Sequence, residues 1–221
     1  MTRIIVVIQV RSDSKRLPRK ALLPIAGVPM LVYLIRRLRA LPASYKIVVA
    51  TTENKRDDAI VGLAQQEKVS VVRGEEEDVL SRYMRCVGIF PCDIVVRITA
   101  DNPLTDPDVI IRAVEKMAGE DCDYVRAVEG FPVGTGADVF NAKTLSILNE
   151  KAGPGYEREH IDAYILKHMT EFKTGALRPG KKFYDPDLRF TVDDREDYEK
   201  VRRIVESYPA GAFIKVEDAI K

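Results

Sequence analysis

The chain has 221 residues, 46% of them hydrophobic and 31% charged, so it can bury a sizeable core as one large or two small domains. Lys and Arg total 35 against 34 for Asp and Glu, a balance that argues against general binding of nucleic acid or of a membrane surface. No apolar stretch approaches the ~20 residues of a membrane span, and no N-terminal signal is readable. Three cysteines without C-x-x-C spacing favour reduced thiols over a zinc site, so we expect a cytoplasmic protein.

The first predicted element is a strand at residues 4–8, a continuous apolar run that is typical of a strand buried on both faces of a parallel sheet. A loop rich in cations and small residues follows, with Arg11, Ser14, Arg16 and Lys20. Such a loop after a buried strand can hold a polyphosphate, although a solvated basic loop has the same composition. Because the loop has no glycine, side-chain cations would have to bind the phosphates.

Helices and strands then alternate through the first half of the chain. Helices are predicted at residues 28–41, 57–68, 76–90 and 107–117, and strands at residues 46–52, 69–72 and 93–98. This alternation predicts an α/β fold with a doubly wound, mainly parallel, Rossmann-like sheet. Ligands bind at the carboxyl ends of strands in such sheets, and both the basic loop and Asp101 fall there.

Beyond residue 119 the elements become shorter and surround a glycine-containing stretch. Strands are predicted at residues 124–128, 138–140, 173–177 and 189–192, and helices at residues 143–150, 158–172 and 195–208. We interpret these elements as a smaller antiparallel lid on a single domain.

The basic loop also resembles a family signature. Its sequence, QVRSDSKRLPRK, is similar to the motif A-R-x-x-S-x-R-L-P-x-K of the cytidylyltransferases, which activate acidic sugars as CMP-sugars. The family includes acylneuraminate and 3-deoxy-manno-octulosonate cytidylyltransferases, and the branch that the chain resembles most is that of spore coat polysaccharide biosynthesis protein F. The resemblance implies that Arg11, Ser14, Arg16 and Lys20 bind the nucleotide, and that Arg11 and Lys20 also act in catalysis.

Asp13 departs from the family pattern, because that branch usually has Gly at this position. An unscreened pair of like charges ~4 Å apart costs on the order of 4 kcal/mol at an effective dielectric of ~20, so an anion beside a triphosphate is unfavourable. We therefore expect Asp13 to point outward or to join the metal, or the loop to be used in a different way.

Two further motifs imply a metal site. RITADNPLTDP is similar to the family's R-I-T-G-D-C-P-L-x-D-P, and RFTVDDREDYEKV resembles its R-W-T-V-D-T-P-E-D. The resemblance implies that Asp101 and Asp193 are ligands of Mg²⁺ and that Asp101 acts in catalysis. It also implies that Thr99 binds the nucleotide. Each Asp follows a predicted strand, so parallel strands would bring both carboxylates to one rim of the sheet. Without the resemblance, an Asp that caps a turn is the favoured interpretation of Asp101.

The remaining motifs concern the base and the acceptor. RGEEEDVLSRY is nearly the family's R-G-S-E-E-D-V-L-D-R-Y and implies that Arg73 and Asp78 lie near the base. FPVGTGADVF aligns with P-x-G-x-x-x-E-x-F and implies that Gly134 and Asp138 line the acceptor pocket. GYEREH matches Y-E-R-E-H-V and implies that His160 contacts the acceptor or a dimer partner. A helix N-terminus, an ordinary glycine hairpin and a structural histidine are the respective alternatives.

Together the motifs imply a Mg²⁺-dependent cytidylyltransferase on a nucleotidyltransferase fold. It would transfer CMP from CTP to a hydroxyl group of a sugar or related acidic acceptor and release pyrophosphate. The product would be a CMP-activated precursor for cell-surface polysaccharide synthesis. The alternatives are a non-catalytic nucleotide- or sugar-binding protein on the same fold and a transferase for another nucleoside triphosphate.

The resemblance also divides the chain and suggests its partners. Residues 1–120 would bind the nucleotide, residues 121–190 would bind the acceptor and a second copy, and residues 189–221 would return to the core sheet. We expect CTP, a small-molecule acceptor and a homodimer partner, and neither nucleic acid nor membrane. Ile161, Tyr164 and Ile165 are a candidate dimer patch, although ordinary core residues would show the same spacing.

Overall fold

The computed structural model describes residues 2–127, 130–179, 188–209 and 211–219, in which strands and helices alternate. The strands are β1 (Ile4–Gln9), β2 (Pro24–Ile25), β3 (Val28–Pro29), β4 (Tyr45–Thr52), β5 (Ser70–Gly74), β6 (Ile94–Thr99), β7 (Tyr124–Ala127), β8 (Ala137–Asn141) and β9 (Thr174–Ala176). The helices are α1 (Met30–Leu38), α2 (Asp58–Gln66), α3 (Val79–Ile89), α4 (Pro107–Glu120), α5 (Ala142–Lys151), α6 (Tyr156–Glu159), α7 (Ala163–Lys167), α8 (Arg195–Glu206) and α9 (Val216–Ala219). Short 3₁₀ helices lie at Lys20–Leu22, Lys55–Asp57 and Met169–Glu171.

A seven-stranded sheet forms the centre of this structure, in the order β5-β4-β1-β6-β8-β7-β9. β1 pairs parallel with β4 and β6, and β4 pairs parallel with β5, whereas β8 runs antiparallel to β6 and β7. The predicted α/β fold with a mainly parallel sheet is confirmed. The second half of the chain continues the main sheet, and the small antiparallel sheet is the ribbon of β2 and β3 that follows the basic loop.

Helices cover both faces of β1, which explains why its sequence is apolar without interruption. Val6 and Ile8 pack in one hydrophobic cluster with residues of α1, α2 and α4. Ile5 and Val7 pack in a second cluster, on the other face, with residues of α3 and α5. Burial of both faces fixes the register of β1, and therefore the place where its carboxyl end emerges.

A third hydrophobic cluster joins the C-terminal segment to the basic loop. Leu17 of the loop belongs to this cluster together with Phe190, Val192 and Tyr198. The backbone N–H of Val192 also donates to the carbonyl oxygen of Asp101 at 2.8 Å. The segment before α8 therefore lies against the end of β6, far from it in sequence.

Two predicted boundaries differ in the described structure. The helix predicted at residues 28–41 begins only at Met30, because the two residues before it pair with β2 as β3. The strand predicted at residues 189–192 forms only an isolated bridge, between Arg189 and Val133. Its neighbours there are loops rather than strands, so no ladder can extend along it.

The helix predicted at residues 158–172 is broken into α6, α7 and a 3₁₀ turn. His160 leaves the helical conformation at φ −106° and ψ 89°, and the break lets Ile161 enter the core with 1% exposure. Ile165 is likewise fully buried. The interpretation of Ile161 and Ile165 as a dimer patch is therefore wrong, and the alternative of ordinary core residues is correct.

Within the described ranges, no helix combines the length and the apolar character that crossing a bilayer requires.

Candidate active site

A cavity of about 750 Å³ opens at the carboxyl ends of β1 and β6. Gln9 and Thr99, the last residues of these two parallel strands, pair with each other and line the cavity. The other lining residues come from the basic loop, the start of α3, α6 and the segment before α8. They are Val10, Arg11, Asp13, Ser14, Lys15, Arg16, Lys20, Ala21, Glu76, Glu77, Val79, Arg82, Ala100, Asp101, Gly155, Tyr156, Glu159 and Asp193.

Lys20 joins the two carboxylates that the family motifs assign to a metal. Its Nζ lies 2.8 Å from Oδ2 of Asp101 and 3.3 Å from Oδ1 of Asp193. The same Nζ donates to the carbonyl oxygen of Val192 at 2.8 Å. Both carboxylates therefore lie within reach of a single cation, at one rim of the sheet.

Asp193 is held by three cations. Nη2 of Arg16 lies 2.8 Å from its Oδ1, and Arg189 pairs with its Oδ2. Burial by itself would raise the pKa of Asp193, but attraction to Lys20, Arg16 and Arg189 outweighs burial and holds the pKa below its ordinary value. Asp193 is therefore a carboxylate anion at neutral pH.

Asp101 keeps one oxygen without a partner. Its Oδ1 is buried and accepts no hydrogen bond from the described residues, an arrangement that costs free energy unless a ligand binds there. Nowhere in the described ranges do three or more His, Cys, Asp or Glu side chains converge as a complete metal site. Asp101 and Asp193 thus fit an ion such as Mg²⁺, which usually takes one or two protein carboxylates and completes its shell with phosphate oxygens and water.

Arg11 and Ser14, two of the residues expected to bind the nucleotide, line the cavity. Nη2 of Arg11 lies 3.3 Å from Oε1 of Glu159, so α6 contacts the basic loop. Oγ of Ser14 accepts a hydrogen bond from the backbone N–H of Leu17 at 3.3 Å. Three loop cations, on Arg11, Arg16 and Lys20, therefore contact carboxylates that a bound triphosphate would have to replace.

Asp13 lines the cavity beside a cation that compensates its charge. Its Oδ2 lies 3.1 Å from Nη1 of Arg56, and Nη2 of Arg56 lies 3.5 Å from Oε2 of Glu76. Arg56 thus links the basic loop to the acidic loop before α3. The sequence did not predict this arrangement, because Arg56 lies on a separate connection, between β4 and α2.

The two residues expected near the base, Arg73 and Asp78, do not line the cavity. Their side chains form hydrogen bonds with backbone groups. Arg73 donates to two carbonyl oxygens of the connection between β4 and α2, each at 2.8 Å. Asp78 caps α3 and pairs with Nε of Arg158 at 2.6 Å. The side chains of this motif that do line the cavity include Glu76, Glu77 and Arg82.

Arg82 was not singled out in the sequence, yet its guanidinium shapes the cavity wall. The side chain is 1% exposed, and Nη1 donates to the carbonyl oxygens of Glu75 and Glu76, the latter at 2.9 Å. Burial lowers the pKa of the guanidinium, and its buried Nε has no partner among the described residues. Gly74 is required beside it, because a Cβ there would lie 2.9 Å from Cγ of Arg82.

The three residues assigned to the acceptor lie outside the cavity lining. Asp138 is buried, with Oδ1 accepting from the Tyr124 hydroxyl at 2.6 Å and Oδ2 lying 2.9 Å from Nη1 of Arg97. Gly134 adopts φ +94° and permits a close approach, since a Cβ would lie 2.7 Å from the backbone nitrogen of Thr191.

The ring of His160 contacts that of Tyr156, with ring centroids 4.4 Å apart and the ring planes tilted by 45°. Tyr156 and Glu159 of the same motif line the cavity instead. Tyr156 and Glu159 lie one helical turn apart on α6, whereas His160 follows the helix and does not line the cavity.

The chain is similar to known proteins over most of its length. A family model described as cytidylyltransferase matches residues 5–215. The chain is 36% identical over 196 residues to uncharacterized protein MJ1063 of Methanocaldococcus jannaschii, covering 89% of this chain and 80% of that protein. It is 30% identical over 209 residues to spore coat polysaccharide biosynthesis protein SpsF of Bacillus subtilis, covering 92% and 87% of the two chains.

Solved structures also match the chain, and one example covers its full length. It is described as a cytidylyltransferase from Leptospira borgpetersenii serovar Hardjo-bovis, and it superposes with a TM-score of 0.94 at 28% identity. The match covers 100% of this chain and 93% of that one.

Proposed function

This chain belongs to the cytidylyltransferase family, and on that basis we propose that it transfers CMP from CTP to a hydroxyl group of a sugar or related acidic acceptor and releases pyrophosphate. One observation carries the proposal. Lys20 of a cationic loop and two carboxylates, on Asp101 and Asp193, meet at the strand ends that line the cavity. A binding protein has little need of two carboxylates at the place where a triphosphate would lie.

Arg11, Arg16 and Lys20 would bind the triphosphate, with Ser14 donating from its hydroxyl group. Guanidinium groups bind phosphate oxygens in a bidentate manner, and the ammonium group of Lys20 acts as a point charge. Each of these cations now contacts a carboxylate, so the loop is already oriented toward an anion. The same cations would stabilise the negative charge that develops on the leaving pyrophosphate.

Asp101 and Asp193 would hold Mg²⁺ beside the α-phosphate. The unpartnered Oδ1 of Asp101 supports this assignment, because a cation would supply the partner that the buried oxygen lacks. A divalent ion bound there would stabilise the negative charge on the α-phosphoryl oxygens. Lys20 now lies between the two carboxylates, and its side chain would turn toward the phosphates when the metal site is filled.

In the reaction, the acceptor oxygen forms a bond to the α-phosphorus of CTP. At the same time, the bond breaks between that phosphorus and the oxygen that bridges the α- and β-phosphates. The hydroxyl proton passes to water, and pyrophosphate carries away the bonding electron pair. Positioning and electrostatics supply most of the rate in such transfers, so this chain needs no covalent nucleophile. Thr99 and Gln9, at the ends of β6 and β1, would orient the reacting groups.

The acceptor would lie against Gln9, Tyr156 and Glu159, the cavity residues beyond the basic loop. Asp138 would act on it indirectly. It holds Arg97, whose Nε donates to the side-chain oxygen of Gln9 at 3.4 Å. The product would be a CMP-activated precursor for cell-surface polysaccharide, a role supported by the likeness to spore coat polysaccharide biosynthesis protein SpsF.

A homodimer remains part of the proposal, with a changed interface. Ile161 and Ile165 belong to the core, whereas Leu166 is 36% exposed and Met169 52% exposed on the same segment. We expect these exposed side chains to pack against a second copy. Light scattering that gives the mass of a monomer at micromolar concentration would contradict this part of the proposal.

The test of the function is pyrophosphate release from CTP with panels of acidic sugars, amino sugars and phosphonates. We expect release that depends on one class of acceptor and on a divalent metal. If pyrophosphate is released faster from another nucleoside triphosphate than from CTP, that nucleotide would be the substrate in place of CTP. Tight CTP binding without release for any panel would favour the non-catalytic binding protein.

A further inference from the structure

Asp57 is a buried carboxylate that the family motifs do not include. It is 1% exposed, and the structure surrounds it with four hydrogen-bond donors. Its Oδ1 accepts from the backbone N–H of Ser12 at 2.8 Å. Its Oδ2 accepts from the hydroxyl groups of Thr51 and Thr52, at 3.0 and 2.6 Å, and from the backbone N–H of Thr52 at 3.2 Å.

Ser12 is the residue at which the basic loop closes. Its carbonyl oxygen accepts from the backbone N–H groups of Ser14 and Arg19, at 3.1 and 3.0 Å. Its hydroxyl group donates to the carbonyl oxygen of Arg56 at 3.1 Å, and the residue is 4% exposed. Ser12 and Arg19 are thus the two ends of the loop segment that carries Arg16. A residue that fixes the position of Ser12 therefore fixes both ends of this segment.

A loop without glycine cannot wrap a phosphate in its own backbone, so its cations must be held at fixed positions from outside. Asp57 fixes the loop in this way, because it accepts hydrogen bonds both from Ser12 of the loop and from Thr52 at the end of β4. The four donors also compensate its charge. Burial by itself would raise the pKa of Asp57, but the hydrogen bonds from Thr52, Ser12 and Thr51 outweigh burial and lower it.

The ordinary role for an Asp at this position is to cap the helix that follows. Asp57 is the residue before α2, yet its side chain accepts no capping hydrogen bond from that helix. Its contacts run instead to the end of β4 and to the basic loop. The carboxylate is therefore used for a contact between segments that are distant in sequence.

We propose that Asp57 is a positioning residue of the triphosphate site: by fixing Ser12, it sets the spacing at which Arg11, Arg16 and Lys20 meet the phosphates. The inference rests on the proposed function, because it presumes that the loop binds a triphosphate. Asp57 itself lies outside the cavity lining.

The test is the Asp57→Asn variant, whose binding of inorganic triphosphate, CTP and CMP is measured by calorimetry well below its melting temperature. Asn is nearly isosteric, but its NH2 group replaces one of the two acceptor oxygens and cannot accept from the backbone N–H that it then faces, that of Ser12 or that of Thr52. We expect affinity for triphosphate and CTP to fall about ten-fold or more, and affinity for CMP to change less than about two-fold.

Asp123→Asn is the matched control. Asp123 also accepts from a backbone N–H far away in sequence, that of Lys173 at 2.9 Å, but it lies before β7, at the opposite end of the sheet from the cavity. This variant should bind inorganic triphosphate like the wild type.

Thr52→Val provides a second variant in case Asp57→Asn does not fold. It removes the shortest of the four hydrogen bonds to Asp57, together with the bond that the Thr52 hydroxyl accepts from the backbone N–H of Asn54 at 3.2 Å. It should weaken triphosphate binding in the same direction, about three-fold or more. Unchanged triphosphate affinity in a folded Asp57→Asn or Thr52→Val variant overturns the inference, as does an equal loss of affinity for CMP. A wild type that binds neither CTP nor triphosphate would instead refute the proposed function.

Discussion

Nζ of Lys20 lies 2.8 Å from Oδ2 of Asp101, so the cation of the basic loop occupies the place beside the carboxylate where a metal ion would bind. The contact explains how two neighbouring carboxylates are tolerated without a metal, since Lys20 also reaches Asp193 at 3.3 Å. If Asp101 and Asp193 hold a divalent ion, as proposed, the ammonium group of Lys20 would be available to a phosphate.

Nucleotide choice follows from the loop before α3, which resembles the base-side loop of CTP-using enzymes. We expect CTP to bind clearly more tightly than UTP. A site that pairs with the 4-amino group leaves buried partners unpaired when it is offered the 4-oxo group, at a cost of ~1–3 kcal/mol. Calorimetry with the two nucleotides measures the difference. Equal affinities would remove the preference for cytosine while leaving the transferase in place.

Arg82 should matter for the base and not for the phosphates. Arg82→Lys keeps the charge but removes the planar guanidinium, whose Nη1 donates to the carbonyl oxygens of both Glu75 and Glu76. We expect CTP affinity to fall about ten-fold, in line with the ~1–3 kcal/mol cost of unsatisfied buried groups, while affinity for inorganic triphosphate stays the same. A parallel loss for both ligands would show that Arg82 supports the whole cavity instead.

Asp13 and Arg56 should behave as a coupled pair. Asp13→Gly removes an anion from the loop and should tighten CTP binding, but only modestly, because Arg56 already compensates the charge. Arg56→Met should weaken binding, and the double variant should return toward the wild type. Exposed pairs of this kind contribute ~0.2–1 kcal/mol and are screened by salt, so all three differences should shrink as ionic strength rises. Independent effects of the two substitutions would place Asp13 away from the bound nucleotide.

The lowered pKa of Asp193 predicts a stability contribution with a defined pH range. A carboxyl group whose pKa is lower in the folded state than in the unfolded chain stabilises the fold above the unfolded value of about 3.9. That contribution is lost as the pH falls through the lowered folded value. Urea unfolding of the wild type and of Asp193→Asn should give a constant difference in free energy between pH 5 and pH 8 and a shrinking one below about pH 4. A difference that grows on acidification would contradict the assignment.

The sequence predicted the centre of the fold because the signals there are local. The apolar run of β1 and the alternation of helices and strands require no knowledge of distant contacts. The carboxylates of Asp101 and Asp193 do meet at Lys20, as expected. Residues 189–192, however, form only an isolated bridge, so Asp193 reaches the rim through the contact of Val192 with Asp101 and not from a parallel strand. The cytidylyltransferase resemblance, confirmed by the family model, rested on motifs in the right order.

The residues that the sequence missed act through contacts between distant segments. Asp57 looked like the start of a helix, and only the folded chain shows that its carboxylate holds Ser12. Arg82 looked like one of several charges on a helix, but its guanidinium is buried against the preceding loop. The break at His160 was missed because burial of Ile161 overrides a helical pattern that is itself of moderate propensity.

The central claim is that Asp101 and Asp193 act together with a divalent metal to transfer CMP. The most direct measurement is pyrophosphate release from CTP by the wild type, Asp101→Asn and Asp193→Asn, with the acceptor that gives the fastest release and with the metal varied. We predict that both variants fold, that each loses metal-dependent release by orders of magnitude, and that CTP binding without metal is kept or tightened, because an anion beside the triphosphate has been removed. Near-normal metal-dependent release by both variants would contradict the claim.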